Sequence, residues 1–169
     1  MSEKEIAKRH KECKVAVKSE SVYETLQKLI NTIVRLIDRG HSDISGNRPY
    51  GTYTVAAGHL WSVGANPKIR YNLLNIFAQD WSDNGYKGGM AAEYLVNLGV
   101  VFGQEVKAEI EGLPLKYKDS PKLYKLEAKD KCKIAGQIIK ELQEVDIVFS
   151  TEYRIEVRRK LNERLGIYK

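Results

Sequence analysis

Long apolar runs, proline and cysteine are all scarce in this chain of 169 residues. No stretch approaches the roughly 18 apolar residues that a membrane-spanning helix needs, which argues against a helical membrane protein. Four prolines leave no room for a proline-rich linker. The opening residues, MSEKEIAKRHKECK, are charged throughout and have no apolar centre, so a secretory signal is not expected. The two cysteines, Cys13 and Cys132, are far apart and neither belongs to a CxxC pair. This argues against zinc-finger and thioredoxin-type chemistry. The expected compartment is the reducing cytoplasm, with both thiols free.

Catalytic signatures are missing as well. The sequence has no GxSxG, SxxK, HExxH, Walker or GxGxxG pattern. On these grounds an enzyme is not the expected reading, and no cofactor is expected.

What the chain does have is positive charge, unevenly spread. Net charge is +6, made of +3 over residues 1–39, −2 over 40–112 and +5 over 113–169. An apolar, mildly acidic centre with basic flanks suits an anionic partner: nucleic acid, an acidic protein or an anionic membrane surface.

Apolar spacing points to a mostly α fold. Ser21 and Glu24 have capping-box spacing, and Val22, Leu26, Leu29, Ile30, Ile33 and Ile37 follow as one stripe that ends at Gly40. Residues 40–52 read as a loop. Residues 53–65 are ambiguous between helix and strand, with helix favoured. Asn66-Pro67 reads as a helix start, with Ile69, Leu73, Ile76, Phe77 and Trp81 on its inner face. One long apolar helix is expected over about 90–111, another from Ser120-Pro121 to about Glu144, and a last over about 151–165. In the last, Ile155, Leu161 and Leu165 are expected inside, with Arg154, Arg158, Arg159, Lys160 and Arg164 outside. The expectation is a single-domain helical bundle of five or six helices over 19–169. At most a short strand is expected near 53–63 or 146–150, and residues 1–18 form an arm or helix.

Several local patterns could carry function. Asp80-Trp-Ser82-Asp-Asn84-Gly85 opens like a calcium loop, but position 12 is Ala91 where a bidentate Glu is needed, so a helix end with a turn is preferred. His41, Asp43 and His59 could form an acid–base or metal site only by converging, with help from a carboxylate such as Asp38. Gly99 and Gly103, four apart in the apolar helix, could form a seam against another helix or a second copy.

The strongest pattern is residues 115–133, LKYKDSPKLYKLEAKDKCK, with seven lysines, three acids and two interleaved tyrosines. Lysine neutralises phosphates, and tyrosine offers a face on which an unpaired base can stack. Lys116, Tyr117, Lys118, Lys122, Tyr124, Lys125 and Lys129 are the candidate contacts. Arg154, Arg158, Arg159 and Arg164 are added because guanidinium suits phosphate geometry. The sequence therefore leads to a non-enzymatic protein that holds the backbone of RNA or single-stranded DNA with little sequence readout. It would act alone, as a homo-oligomer, or as a small subunit of a larger nucleoprotein complex. The alternative is an assembly protein whose basic surface meets an acidic protein or only water.

Overall fold

The computed structural model of the chain describes residues 20–168. The arm assigned to residues 1–18, with His10 and Cys13, lies outside them. The described residues form seven α-helices, two short 3-10 turns and one two-stranded antiparallel sheet. None of these helices is long and apolar enough to cross a membrane.

Helix α1 (Val22–Ile37) sits at the centre. Ser21 and Glu24 close the capping box reciprocally, at 3.2 and 3.1 Å. Leu26, Ile30, Ile33, Val34 and Ile37 are fully buried, as the stripe requires. The next elements are β1 (Val55–His59), β2 (Ile76–Asp80) and the single-turn helix α2 (Trp81–Gly85). Then come α3 (Ala91–Phe102), α4 (Gln104–Glu111), the short α5 (Leu113–Lys116), α6 (Lys125–Val145) and α7 (Thr151–Leu165).

One apolar cluster joins α1 to α6 through Ala128, Ala135 and Ile138. The second gathers Phe77 of β2, Tyr94 and Leu98 of α3, Ile110 and Leu113. Helix α7 serves both, giving Val157 and Leu165 to the first and Ile155 to the second.

Several expectations are corrected. Residues 66–81 are not a helix. Pro67–Ile69 and Leu73–Asn75 are 3-10 turns, and β2 follows. Two asparagines pull the backbone away from helix: Asn72 Oδ1 accepts the Leu74 N–H at 3.0 Å, and Asn75 Oδ1 accepts the Trp61 N–H at 2.8 Å. The favoured helix over 53–65 is instead strand β1, paired Ala57 to Ala78 and His59 to Ile76. Gly58 is required there, because a Cβ would meet Gln79 Oε1 at 1.9 Å.

The single helix over 90–111 is two, broken where Gly103 takes φ +91°. Residues 120–124 are extended, and α6 starts at Lys125, where Glu127 reaches back to the Tyr124 N–H at 3.0 Å. Residues 146–150 form neither helix nor strand.

The largest correction concerns α7. Arg158 is fully buried and Arg154 nearly so. Both point inward at Asp38, the residue that ends α1. Asp38 Oδ2 accepts from Arg158 Nη2 at 2.7 Å and from the Ala78 N–H at 2.7 Å, while Oδ1 accepts from Arg154 Nη1 at 2.9 Å. Arg158 also donates to the carbonyls of Leu73 and Ile76, and its guanidinium lies 4.0 Å from the Phe77 ring centroid. Burial alone would raise the Asp38 carboxyl; the two guanidiniums and the Ala78 N–H overcome it and hold the group below its usual range.

Removing one partner of such a network strands the other charges in a dry site. Asp38→Ala is therefore expected to cost about 3–5 kcal/mol in urea unfolding. Because the folded Asp38 carboxyl lies below its unfolded value, its contribution is fully present above about pH 4 and lost as pH falls further. A loss under about 1 kcal/mol, the size of a surface pair, would contradict this reading.

Candidate nucleic-acid interface

The lysine–tyrosine stretch runs from the end of α5, through an extended segment, into the first turns of α6. Lys116, Lys118, Lys122, Tyr124, Lys125 and Lys129 are all exposed. Tyr117 is half-buried, its ring 5.0 Å from that of Tyr168 and 5.3 Å from the Lys116 ammonium. Two clefts meet along this segment. One, of about 480 Å³, is bordered by Lys116, Tyr117, Lys122 and Tyr124. The other, of about 760 Å³, is bordered by Tyr23, Lys68, Arg70, Lys122 and Tyr168. Lys122 and Leu123 belong to both.

Sequence reasoning missed Lys68 and Arg70. The Asn-Pro start placed them on an ordinary helix, whereas the 3-10 turn carries them to the rim of the larger cleft. Arg70 Nε donates to Gln27 Oε1 at 3.2 Å, and its guanidinium lies 4.9 Å from the Tyr71 ring centroid. Lys68 donates to the Lys118 carbonyl, which ties the turn to the lysine stretch.

The α7 arginines behave differently. Arg154 and Arg158 belong to the core and face no partner. Arg159 pairs with Glu109 at 2.5 Å, and Arg164 holds Glu141 in a two-pronged contact. The Arg164 guanidinium, with help from Gln137, brings the Glu141 carboxyl down to about 2. Lys68, Arg70, Lys116, Lys118, Lys122, Lys125 and Lys129, by contrast, make no ion pair among the described residues.

The histidine constellation does not assemble. His41 and Asp43 border one small cavity of about 200 Å³ with Asp38 and Arg154, and His59 is not among its lining residues. His41 Nε2 meets the Phe149 carbonyl at 2.6 Å. His59, at the end of β1, has Nε2 2.8 Å from the Arg70 carbonyl. A carbonyl only accepts, so Nε2 carries the hydrogen and Nδ1 keeps the lone pair. Burial outweighs that bond and lowers the imidazole below its usual value. Asn75 sets this arrangement by clasping both the N–H and the carbonyl of Trp61, which closes the loop opposite.

The Asp80–Gly85 segment is not an open cation loop. Asp80 caps α2, and Asp83 is fully buried. Arg48 Nη1 reaches Asp43 at 2.9 Å and Asp83 at 2.8 Å, its Nε lies 3.8 Å from Asp80, and Lys87 completes the charge at 2.8 Å. Burial would raise the Asp83 carboxyl, but Arg48, Lys87 and Ser45 bring it down to about 2. Here a guanidinium ties the 43–48 loop to α2. Among the described residues no group of three or more His, Cys, Asp and Glu side chains is placed to hold a metal.

Gly99 and Gly103 do not share a helix face, because Gly103 breaks the helix. The proposed seam would need a continuous helix there.

A family model described as Bacteriophage Lambda NinG protein matches residues 1–120. Protein ninG of Escherichia phage lambda is 36% identical over 102 residues, covering 58% of this chain and 48% of that protein. The proteins of the same name from Enterobacteria phage H19B and Escherichia phage 933W are each 35% identical over 102 residues, covering 58% of this chain and 49% of theirs. The chain thus spans about half the length of the curated relatives it matches. No solved structure matches. The family match takes in the Arg48 cross-link, His59, Lys68 and Arg70, and stops before α6.

Two outcomes test this geometry. Arg48→Ala leaves Asp43 and Asp83 buried with Lys87 as the remaining cation and Ser45 bonded to both, at a cost of about 2 kcal/mol in urea unfolding, and Arg48→Lys restores only part because an ammonium lacks the planar fork that bridges both carboxylates. Full stability in Arg48→Ala would remove the cross-link from the account. His59, followed by NMR, is expected to titrate below about 6.5. Because its folded value is lowered, the neutral ring favours folding and protonation at acid pH opposes it. A midpoint above that value would contradict the desolvated environment.

Proposed function

The chain belongs to the NinG family, and from that premise we propose that it is a phage-type protein that holds the backbone of RNA or single-stranded DNA with little sequence readout. The surface is formed by Lys68 and Arg70 of the 67–70 turn and by Lys116, Tyr117, Lys118, Lys122, Tyr124, Lys125 and Lys129. The observation that carries the reading is the contrast among the cations. The guanidiniums of α7 are buried or paired with carboxylates, whereas the six lysines and one arginine of this surface make no ion pair among the described residues. Unpaired cations beside tyrosines offer phosphate neutralisation and stacking together. The protein would work in the cytoplasm, alone or within a larger nucleoprotein complex.

A second reading, favoured by His59, is that the same surface cuts as well as holds. The imidazole is fixed by the Arg70 carbonyl, kept neutral by burial, and makes no hydrogen bond through Nδ1 among the described residues. It could take the proton of a water attacking phosphorus, with Arg70 neutralising the phosphate and the departing oxygen protonated from solvent. Strand cleavage lost in His59→Ala would support it. Intact strands after long incubation with magnesium or manganese leave holding alone.

Fluorescence anisotropy with labelled single-stranded RNA, single-stranded DNA and duplex DNA, at two salt concentrations, tests the main reading. Affinity is expected to fall steeply with salt, with a slope of about −0.7 per phosphate neutralised on single strands. Lys68, Lys122 and Lys125 changed together to Glu should weaken binding more than tenfold, whereas Arg159→Ala with Arg164→Ala should change it little. No binding at low salt would overturn the reading and turn attention to an acidic protein partner.

A further inference from the structure

Resting on that backbone-binding reading and deepening it, we propose that the larger cleft accepts one unpaired nucleotide of the bound strand, base inward and phosphate on the rim. The cleft lies between the start of α1, the 67–71 turn and residues 120–123. Its volume of about 760 Å³ falls within the roughly 300–1,000 Å³ of small-ligand sites.

The walls and rim divide the work. Tyr23, Leu123, Ile167 and Tyr168 supply apolar and aromatic surface. The tyrosine hydroxyls are already engaged: Tyr23 donates to the Leu123 carbonyl at 3.1 Å, and the Tyr168 oxygen accepts the Tyr71 N–H at 3.1 Å. These bonds fix the rings, so a base meets a rigid wall and loses little freedom on the protein side. Lys68, Arg70 and Lys122 stand on the rim without carboxylate partners among the described residues. The single acid of the lining, Glu24, is folded back onto the Ser21 N–H. A ligand with one apolar, flat end and one anionic end matches this arrangement.

A base held within a duplex cannot enter, because its faces are covered by neighbours; an unpaired one can. The cleft therefore separates single-stranded from double-stranded nucleic acid, something the exposed lysines alone cannot do. The neighbouring cleft is less suited, because Asp119, Glu127 and Asp130 on its lining offset its lysines.

The test uses the full chain and a single-stranded DNA carrying one 2-aminopurine, with a duplex of equal length for comparison. The expected result is a change in 2-aminopurine emission on binding and about tenfold tighter binding of the single strand at equal salt. Ser120→Trp, and independently Pro121→Trp from the more exposed side, fill the cleft. Each should abolish the emission change and the single-strand preference while leaving duplex affinity and the salt slope as they were. If both variants fold and keep the preference, the cleft is not the site, although backbone binding stands. If the unaltered chain binds neither strand at low salt, the backbone reading fails and this inference with it.

Discussion

Everything else in this fold is arranged around one buried carboxylate. Asp38 ends α1, accepts the Ala78 N–H from β2 and takes both Arg154 and Arg158 from α7. Moving such charges out of water costs several kcal/mol per ion, and only a fully bonded geometry returns it. Arg158 meets most of that demand by also donating to the carbonyls of Leu73 and Ile76, with only Nη1 left without a hydrogen-bond partner among the described residues, so the 3-10 turn, the sheet and two helices are joined by a single guanidinium. The two apolar clusters meet across this joint.

The same joint decides which cations are left for a partner. Helix α7 is the most arginine-rich part of the chain, yet two of its arginines are spent inside and two more face Glu109 and Glu141. The lysines of 116–129 and the Lys68–Arg70 turn have no such partners among the described residues. Under the proposed function, charge density along the sequence therefore overstates α7 and understates the 67–70 turn.

How much was legible from the sequence depended on how local the deciding contact was. The capping box of α1 lies within three residues of what it caps, and that helix starts where the sequence puts it, while α7 runs over the 151–165 that its apolar spacing indicates. The exposure of the lysines in 116–129 was legible for the same reason. Residues 66–81 were not, because Ile69, Leu73, Ile76 and Phe77 suit a helix face and a buried strand equally, and the choice was made by Asn75 reaching Trp61 and by pairing with β1. The inward turn of Arg158 was hidden too. Its partner Asp38 is 120 residues away, and arginine on an apolar stripe reads as solvent-facing until that partner is seen. The Arg48 cross-link between Asp43 and Asp83 was invisible on the same grounds, and the nearby Asp80–Gly85 pattern, which opens like a calcium loop, read as a helix end with a turn.

Hydrogen–deuterium exchange of the full chain, with and without a single-stranded DNA at low salt, tests the division of cations most directly. The account expects slowed exchange over residues 67–71 and 118–129, and unchanged exchange over α7. Protection confined to α7, with residues 118–129 untouched, would contradict it.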